Sequence, residues 1–223
     1  MMKELSGPSL PPASGGPARQ LVVLLHGVGA DGRDLLSLGE EWRASLPHAA
    51  FLAPDAPDAC DMAPYGFQWF SLRELSPPRL LAGIQAAAPG LTRYLDAQRQ
   101  ALGFSWRQVA LVGFSQGTMM ALHVAPRLPE PVAAVVGYSG AMLGFETMGT
   151  EVRSRPPVLL VHGDADDVVP VQATSLAGAQ LRQHGFEVEV RIRPRLGHWL
   201  DEDGIGVGGR FLARHLGDGS PTP

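Results

Sequence analysis

The 223-residue chain is 45% hydrophobic and 18% charged, the make-up of one soluble globular domain with a substantial core rather than of a disordered or fibrous chain. Its net charge of -4 and pI near 5.9 leave no basic stripe, so nucleic acid is excluded as an expected partner. No apolar stretch approaches the ~18–20 residues of a membrane helix, the first residues hold no apolar signal core, and the single cysteine, Cys60, rules out an intrachain disulfide; a cytoplasmic protein without stable membrane insertion is expected.

Residues 1–20 read as a Pro/Gly-rich lead-in, irregular or forming an edge strand of a hairpin, and 218–223 as a frayed tail. Between them, residues 21–217 read as one domain of alternating strands and helices. A strand is predicted over Leu21–Leu25 and a helix over Asp34–Leu46, with Asp34 as a cap. A short strand over Ala50–Ala53 leads into a Pro-rich excursion at 54–78. A long helix follows from Pro78 to Leu102, irregular near Pro89-Gly90. Next come a strand over Val109–Gly113, a helix over Ser115–Leu128 stopped by Pro129, and strands over Val132–Tyr138 and Val158–His162. A helix over Gln172–His184, a strand over Glu187–Arg193 and a helix over Ile205–Leu216 complete the chain. Such alternation predicts an α/β domain whose mainly parallel sheet is covered on both faces. In such sheets the chemistry gathers at the carboxyl ends of the strands.

The densest chemical signal is Gly113-Phe114-Ser115-Gln116-Gly117, a G-x-S-x-G run between a short apolar β-branched segment and a helical one. The bare pentapeptide is frequent and by itself describes a glycine-rich turn. In a strand-to-helix setting it describes a nucleophile elbow, with glycines making room for a strained, exposed serine. A serine hydroxyl attacks only when a base takes its proton, and that base works best when a carboxylate orients it. Downstream, one strand runs into Gly163-Asp164-Ala165-Asp166-Asp167 and another into Pro194-Arg195-Leu196-Gly197-His198. Of seven histidines, only His198 combines a loop after a strand, a flanking glycine and the order Ser, Asp, His. His26 and His162 end strands before glycines, a place where an imidazole buttresses a loop. Spacing favours Asp164 or Asp166 as the acid and does not choose between them; all three aspartates also suit a turn. Cys60, in a Pro/Asp-rich loop without an evident base, is not read as a nucleophile.

Taken together, Leu25-His26-Gly27-Val28-Gly29-Ala30-Asp31-Gly32, the serine pentapeptide, His162-Gly163-Asp164-Ala165-Asp166 and Gly197-His198 resemble the carboxylesterase/phospholipase family of α/β-hydrolases, which includes acyl-protein thioesterases and lysophospholipases. The likeness spans about residues 6–216. It implies an α/β-hydrolase fold without a separate cap domain, Asp166 as the acid beside Ser115 and His198, and Asp164 as a loop-stabilising residue. Asp167 departs from the pattern, standing where the family often has proline. The resemblance also implies an oxyanion hole from the backbone N–H groups of Val28 and Gln116, the latter at a helix start.

Gln68-Trp69-Phe70-Ser71 resembles an aromatic element that borders the family's site, although Trp69 and Phe70 suit loop packing equally well. Met119, Leu143, Phe145, Val169 and Trp199 complete the candidate substrate contacts. Trp199 stands where many members have a small residue, which suggests a narrowed groove and short-to-medium acyl chains. The expected activity is hydrolysis of a small-molecule ester through an acyl-enzyme, with no metal or organic cofactor. An acyl-protein thioesterase or a lysophospholipase would use the same triad, and a non-catalytic binding protein on the same fold is the competing class. A cofactor-dependent enzyme is disfavoured, because Gly27-Val28-Gly29 lacks the rest of any phosphate-binding fingerprint. The resemblance is compatible with a homodimer.

Overall fold

A computed structural model describes residues 4–217. Its main sheet has seven strands in the order β1-β3-β2-β6-β7-β8-β9. Gln20–Leu25 (β2) lies beside Ala49–Leu52 (β3) and Val109–Phe114 (β6), and the sheet continues through Ala134–Tyr138 (β7), Val158–Gly163 (β8) and Val188–Arg193 (β9). All these neighbours are parallel. Only the edge strand Ser9–Leu10 (β1) runs antiparallel, against β3. The lead-in therefore does supply an edge strand, although its partner is β3 rather than the next strand in the chain. The frayed tail expected at 218–223 lies outside the described residues.

Alternation along each strand sends side chains to two separate cores. Leu21, Val23 and Leu25 join Leu111, Val135 and Leu160 on one face, whereas Val22 and Leu24 join Val112, Val136 and Val161 on the other. The first face is covered by Pro77–Ala101 (α2), Gln116–Val124 (α3) and Val171–Gln183 (α5), through residues such as Ile84, Leu95, Met120 and Leu181. The second is covered by Gly32–Trp42 (α1) and Glu202–Leu216 (α6), through Leu38, Trp42, Phe211 and Leu212. Burial on both faces explains why the central strands read as continuous apolar runs.

The helix expected over Ser115–Leu128 ends as Gln116–Val124, with a separate turn at Ala125–Arg127, and three further features differ from expectation for identifiable reasons. The cap of α1 is Asp31, whose side chain accepts from the N–H groups of Arg33 and Asp34, and Asp34 closes a capping box from inside the helix. Pro89 does not break α2, which runs through it. The Pro-rich excursion contains a small antiparallel ribbon, Asp58–Ala59 (β4) with Phe67–Gln68 (β5), which apolar alternation is too short to announce. A single turn at Met148–Glu151 (α4) follows β7.

Candidate active site

Because β2, β6, β8 and β9 are parallel neighbours or near neighbours, their carboxyl ends share one edge of the sheet. His26, Ser115, the Asp166 loop and the His198 loop all follow these ends.

Ser115 sits between β6 and α3 with φ 53° and ψ -115°. A non-glycine residue in such a conformation stores roughly 1–3 kcal/mol and persists only when its surroundings over-determine it. Here they do. The Ser115 N–H donates to the Tyr138 carbonyl (2.9 Å), and the Thr118 hydroxyl lies 2.8 Å from the carbonyl oxygens of both Gly113 and Tyr138. Gly117 lies so close to β2 that a Cβ there would overlap the Leu25 carbonyl oxygen. Glycine at that position is thus a requirement of close packing.

The side chain of Gln116 is fully buried and turned away from the serine. Its Oε1 accepts from the Trp69 N–H (2.9 Å) and its Nε2 donates to the Phe70 carbonyl (2.7 Å). Its own backbone N–H is among the first of α3, groups that have no acceptor inside a helix. The facing loop after β2 is pinned in a comparable way. His26 Nε2 accepts from the Ala56 N–H (2.9 Å), which leaves Nδ1 as the protonated nitrogen and lets it donate to the Gly27 carbonyl (2.7 Å). In a trans peptide the N–H points opposite to the C=O. Fixing the Gly27 carbonyl therefore fixes the direction of the Val28 N–H. Burial, outweighing neighbouring carboxylates, holds the His26 pKa below its ordinary value. A Cβ on Gly27 would lie 3.3 Å from Ser115 Cβ, so this loop runs directly alongside the elbow.

Asp166 and His198 meet: Oδ2 accepts from His198 Nδ1 at 2.7 Å. Oδ1 accepts from the N–H groups of Val168 (2.9 Å) and Val169 (2.8 Å). The Asp166 side chain is fully buried. Burial alone would raise its pKa, but the bonds from His198 and from Val169 and Val168 outweigh it and hold the carboxyl below the usual carboxylate range. Asp164 is exposed and does different work, accepting the Arg195 N–H on Oδ1 (2.6 Å) and so bracing the loop that carries His198. The His198 ring packs on the ring of Phe114, the residue before Ser115, with centroids 4.9 Å apart.

The candidate substrate contacts fall into two groups. Trp69 and Phe70 are 2% and 4% exposed. The Trp69 indole N–H donates to the His26 carbonyl (3.0 Å), and the Phe70 ring lies under Gly83 of α2. Both also border a groove of about 460 Å³ formed with Leu5, Pro57 and the small residues of α2. Met119, Leu143 and Phe145 are half-buried against the α2/α3 core. Val169 is half-buried in the Asp166 loop, and Trp199 is 59% exposed beside His198. The sequence reading missed two contacts here. The Gln116 side chain clamps the 69–70 backbone, and His162 Nε2 lies 3.0 Å from Asp166 Oδ2. The H-x-x-x-D spacing was visible in the sequence, but only a tight turn brings its ends together.

The sequence profile of the Phospholipase/Carboxylesterase family matches residues 12–216. The chain is 26% identical over 200 residues to the esterase YpfH of Escherichia coli K12, covering 90% of this chain and 83% of that protein. It is 28% identical over 187 residues to acyl-protein thioesterase 1 of Saccharomyces cerevisiae, covering 78% and 81% respectively. Among solved structures, esterase PE8 superposes with a TM-score of 0.92 at 44% identity, covering 96% of this chain and all of that one. Among the described residues, no helix is long and apolar enough to cross a membrane.

Proposed function

Since this chain belongs to the phospholipase/carboxylesterase family of α/β-hydrolases and is an esterase-type serine hydrolase, we propose that Ser115, His198 and Asp166 are its catalytic triad and that short-to-medium acyl esters are its substrates. The observation that carries the reading is the His198–Asp166 bond of 2.7 Å, on an imidazole packed at a tilt against the residue before a strained serine.

With Nδ1–H committed to Asp166, the lone pair of His198 resides on Nε2, the nitrogen that takes the Ser115 proton as Oγ attacks the ester carbonyl. The tetrahedral oxyanion is met by the N–H groups of Val28 and Gln116, one aimed by the His26 bond and the other supplied by the start of α3. His198 then protonates the leaving alcohol, and an acyl-Ser115 remains. A water activated by the same imidazole cleaves it and returns the serine. Asp166 stays ionised throughout, stabilising the imidazolium, consistent with a carboxyl held below the usual range.

Support for shorter chains comes from Trp199, which stands at the rim directly after His198. The likeness to an acyl-protein thioesterase makes a thioester the natural second substrate to test, because the chemistry is shared. The test is hydrolysis of C4, C8 and C16 p-nitrophenyl esters and matched thioesters by wild type and Ser115→Ala. Wild type should prefer C4 or C8, and Ser115→Ala should lose about 10⁴-fold or more in kcat. Fastest turnover on C16 would overturn the chain-length preference, and retained activity in Ser115→Ala would overturn the triad.

A further inference from the structure

Asp166 lies against two histidines. Besides His198 on Oδ2, His162 Nε2 lies 3.0 Å from the same oxygen, and the side chains of His162 and Asp166 are both fully buried. We propose that His162 is a positioning residue for the reaction, donating its Nε2–H to the Val169 carbonyl and so fixing the turn whose N–H groups hold the carboxylate on which His198 turns; the proposal rests on the reading of Asp166 as the triad acid.

The proton inventory around the ring supports this direction. His162 Nε2 faces two acceptors, the Val169 carbonyl at 2.8 Å and Asp166 Oδ2 at 3.0 Å. Neither can donate, so a bare Nε2 would place a buried lone pair against two oxygens, and the nitrogen must carry hydrogen. On the other side Nδ1 lies 2.7 Å from the Thr174 hydroxyl of α5, a group able to donate to it. The Gly140 carbonyl is the hydroxyl's longer alternative at 3.2 Å. The arrangement therefore runs Thr174 Oγ–H to Nδ1, then Nε2–H to the Val169 carbonyl, with Asp166 Oδ2 close beside the same nitrogen.

The loop geometry shows what this bond accomplishes. Oδ1 is already satisfied by the Val168 and Val169 N–H groups. Those N–H groups hold the carboxylate only while the turn that presents them is itself fixed. His162 belongs to β8 and is tied to α5, so it links the turn that carries the acid to the body of the fold. The ring closes the 162–169 turn through the Val169 carbonyl, so one side chain sets the loop whose N–H groups orient the carboxylate.

Methionine and glutamine have similar length and shape, and only glutamine can donate. His162→Met should lower kcat by about 10- to 100-fold with KM little changed, the scale of leaving the Val169 carbonyl unpaired and its turn loosened. His162→Gln should recover most of that loss. The low-field proton resonance of the His198–Asp166 bond should shift in the methionine variant and return in the glutamine one. In an Asp166→Ala background, His162→Met should cost nothing further in the rate at which a fluorophosphonate labels Ser115. Equal impairment of the two His162 variants, or an undiminished cost in the Asp166→Ala background, would overturn the proposal. Nitrogen-15 NMR of the wild-type protein tests it without any substitution: His162 should be protonated at Nε2, and a bare Nε2 overturns the proposal even if a variant fails to fold. The two readings fail separately. Ser115→Ala with full activity sinks the triad, whereas an inactive Ser115→Ala beside a fully active His162→Met sinks only the positioning role.

Discussion

Two regions border the serine, and they are held in opposite ways. On the strand-end side, His26, Gln116, His162 and Asp166 have buried side chains whose polar atoms meet named partners on other elements. On the rim, Val168 in the Asp166 loop and Trp199 beside His198 present large apolar surfaces to solvent. Acyl transfer needs the first arrangement, because a donor displaced by about 1 Å can cost on the order of 100-fold in rate. Recognition of a flexible acyl chain needs only the second, where apolar contact is non-directional. Substitutions should therefore act through stability and rate on one side, and through selectivity on the other.

The harshest test of the rigid side is Gly117→Ala. Its new Cβ would overlap the Leu25 carbonyl oxygen and press on the His26 carbonyl (2.8 Å), both backbone atoms of the central β2 region. With no flexible side chain to yield, destabilisation of about 3 kcal/mol or more is expected, with loss of serine labelling. Gly149→Ala is the matched control, since a Cβ there meets nothing within 4 Å. Denaturant midpoints for the two variants check the contrast; equal midpoints would mean that the elbow is not over-determined.

A gentler test uses protons. Burial holds the pKa values of His26 and His123 below 6.5, with Arg127 adding to the effect at His123. A histidine whose folded pKa is depressed binds fewer protons folded than unfolded. Its contribution is complete above the unfolded value near 6.5 and is lost as pH falls through the folded one. Asp166 and Asp201 are also depressed, but their window lies below the unfolded carboxylate value of about 4, so they add no slope in the same range. Stability should thus fall between pH 7 and pH 5, by up to about 1.4 kcal/mol per pH unit for each proton of difference. His123→Gln should flatten that slope in urea titrations at pH 7.5 and 5.5; a slope steeper than wild type would contradict the assignment.

The same division governs what could be read from the chain alone. Strand-and-helix alternation, the elbow at Ser115 and the choice of His198 follow from local periodicity and spacing, which a sequence displays directly. The proposed acid did not: Asp164 and Asp166 are two residues apart on one loop, and only the turn that buries Asp166 against His162 and leaves Asp164 facing Arg195 separates them. The resemblance to known hydrolases named Asp166 without that geometry. The β4–β5 ribbon and the Gln116 clamp on residues 69–70 rest on contacts between segments about 10 to 47 residues apart, which no local pattern encodes. Pro89 illustrates the converse, a strong local breaker overridden by the packing of α2 on the core.

The smallest expected effect on stability belongs to Trp199, and it sharpens the contrast most. Its indole folds back over Gly197, where any side chain would overlap the ring, and the backbone N–H of Trp199 donates to the Gly197 carbonyl (3.0 Å). The ring is thus placed beside His198 by a glycine next to that histidine, while more than half of it stays in solvent. Trp199→Ala removes little buried area, so its melting point should remain within the range of about 0.5 kcal/mol usual for surface changes. If the indole limits the groove, the same variant should raise kcat/KM for C16 relative to C4 esters by several-fold, a span of roughly 1 kcal/mol. An unchanged C16/C4 ratio with unchanged stability would show that Trp199 neither limits the chain nor supports the fold. A large loss of stability would instead move Trp199 from the rim to the rigid side, and the boundary between the two regions would have to be redrawn at His198.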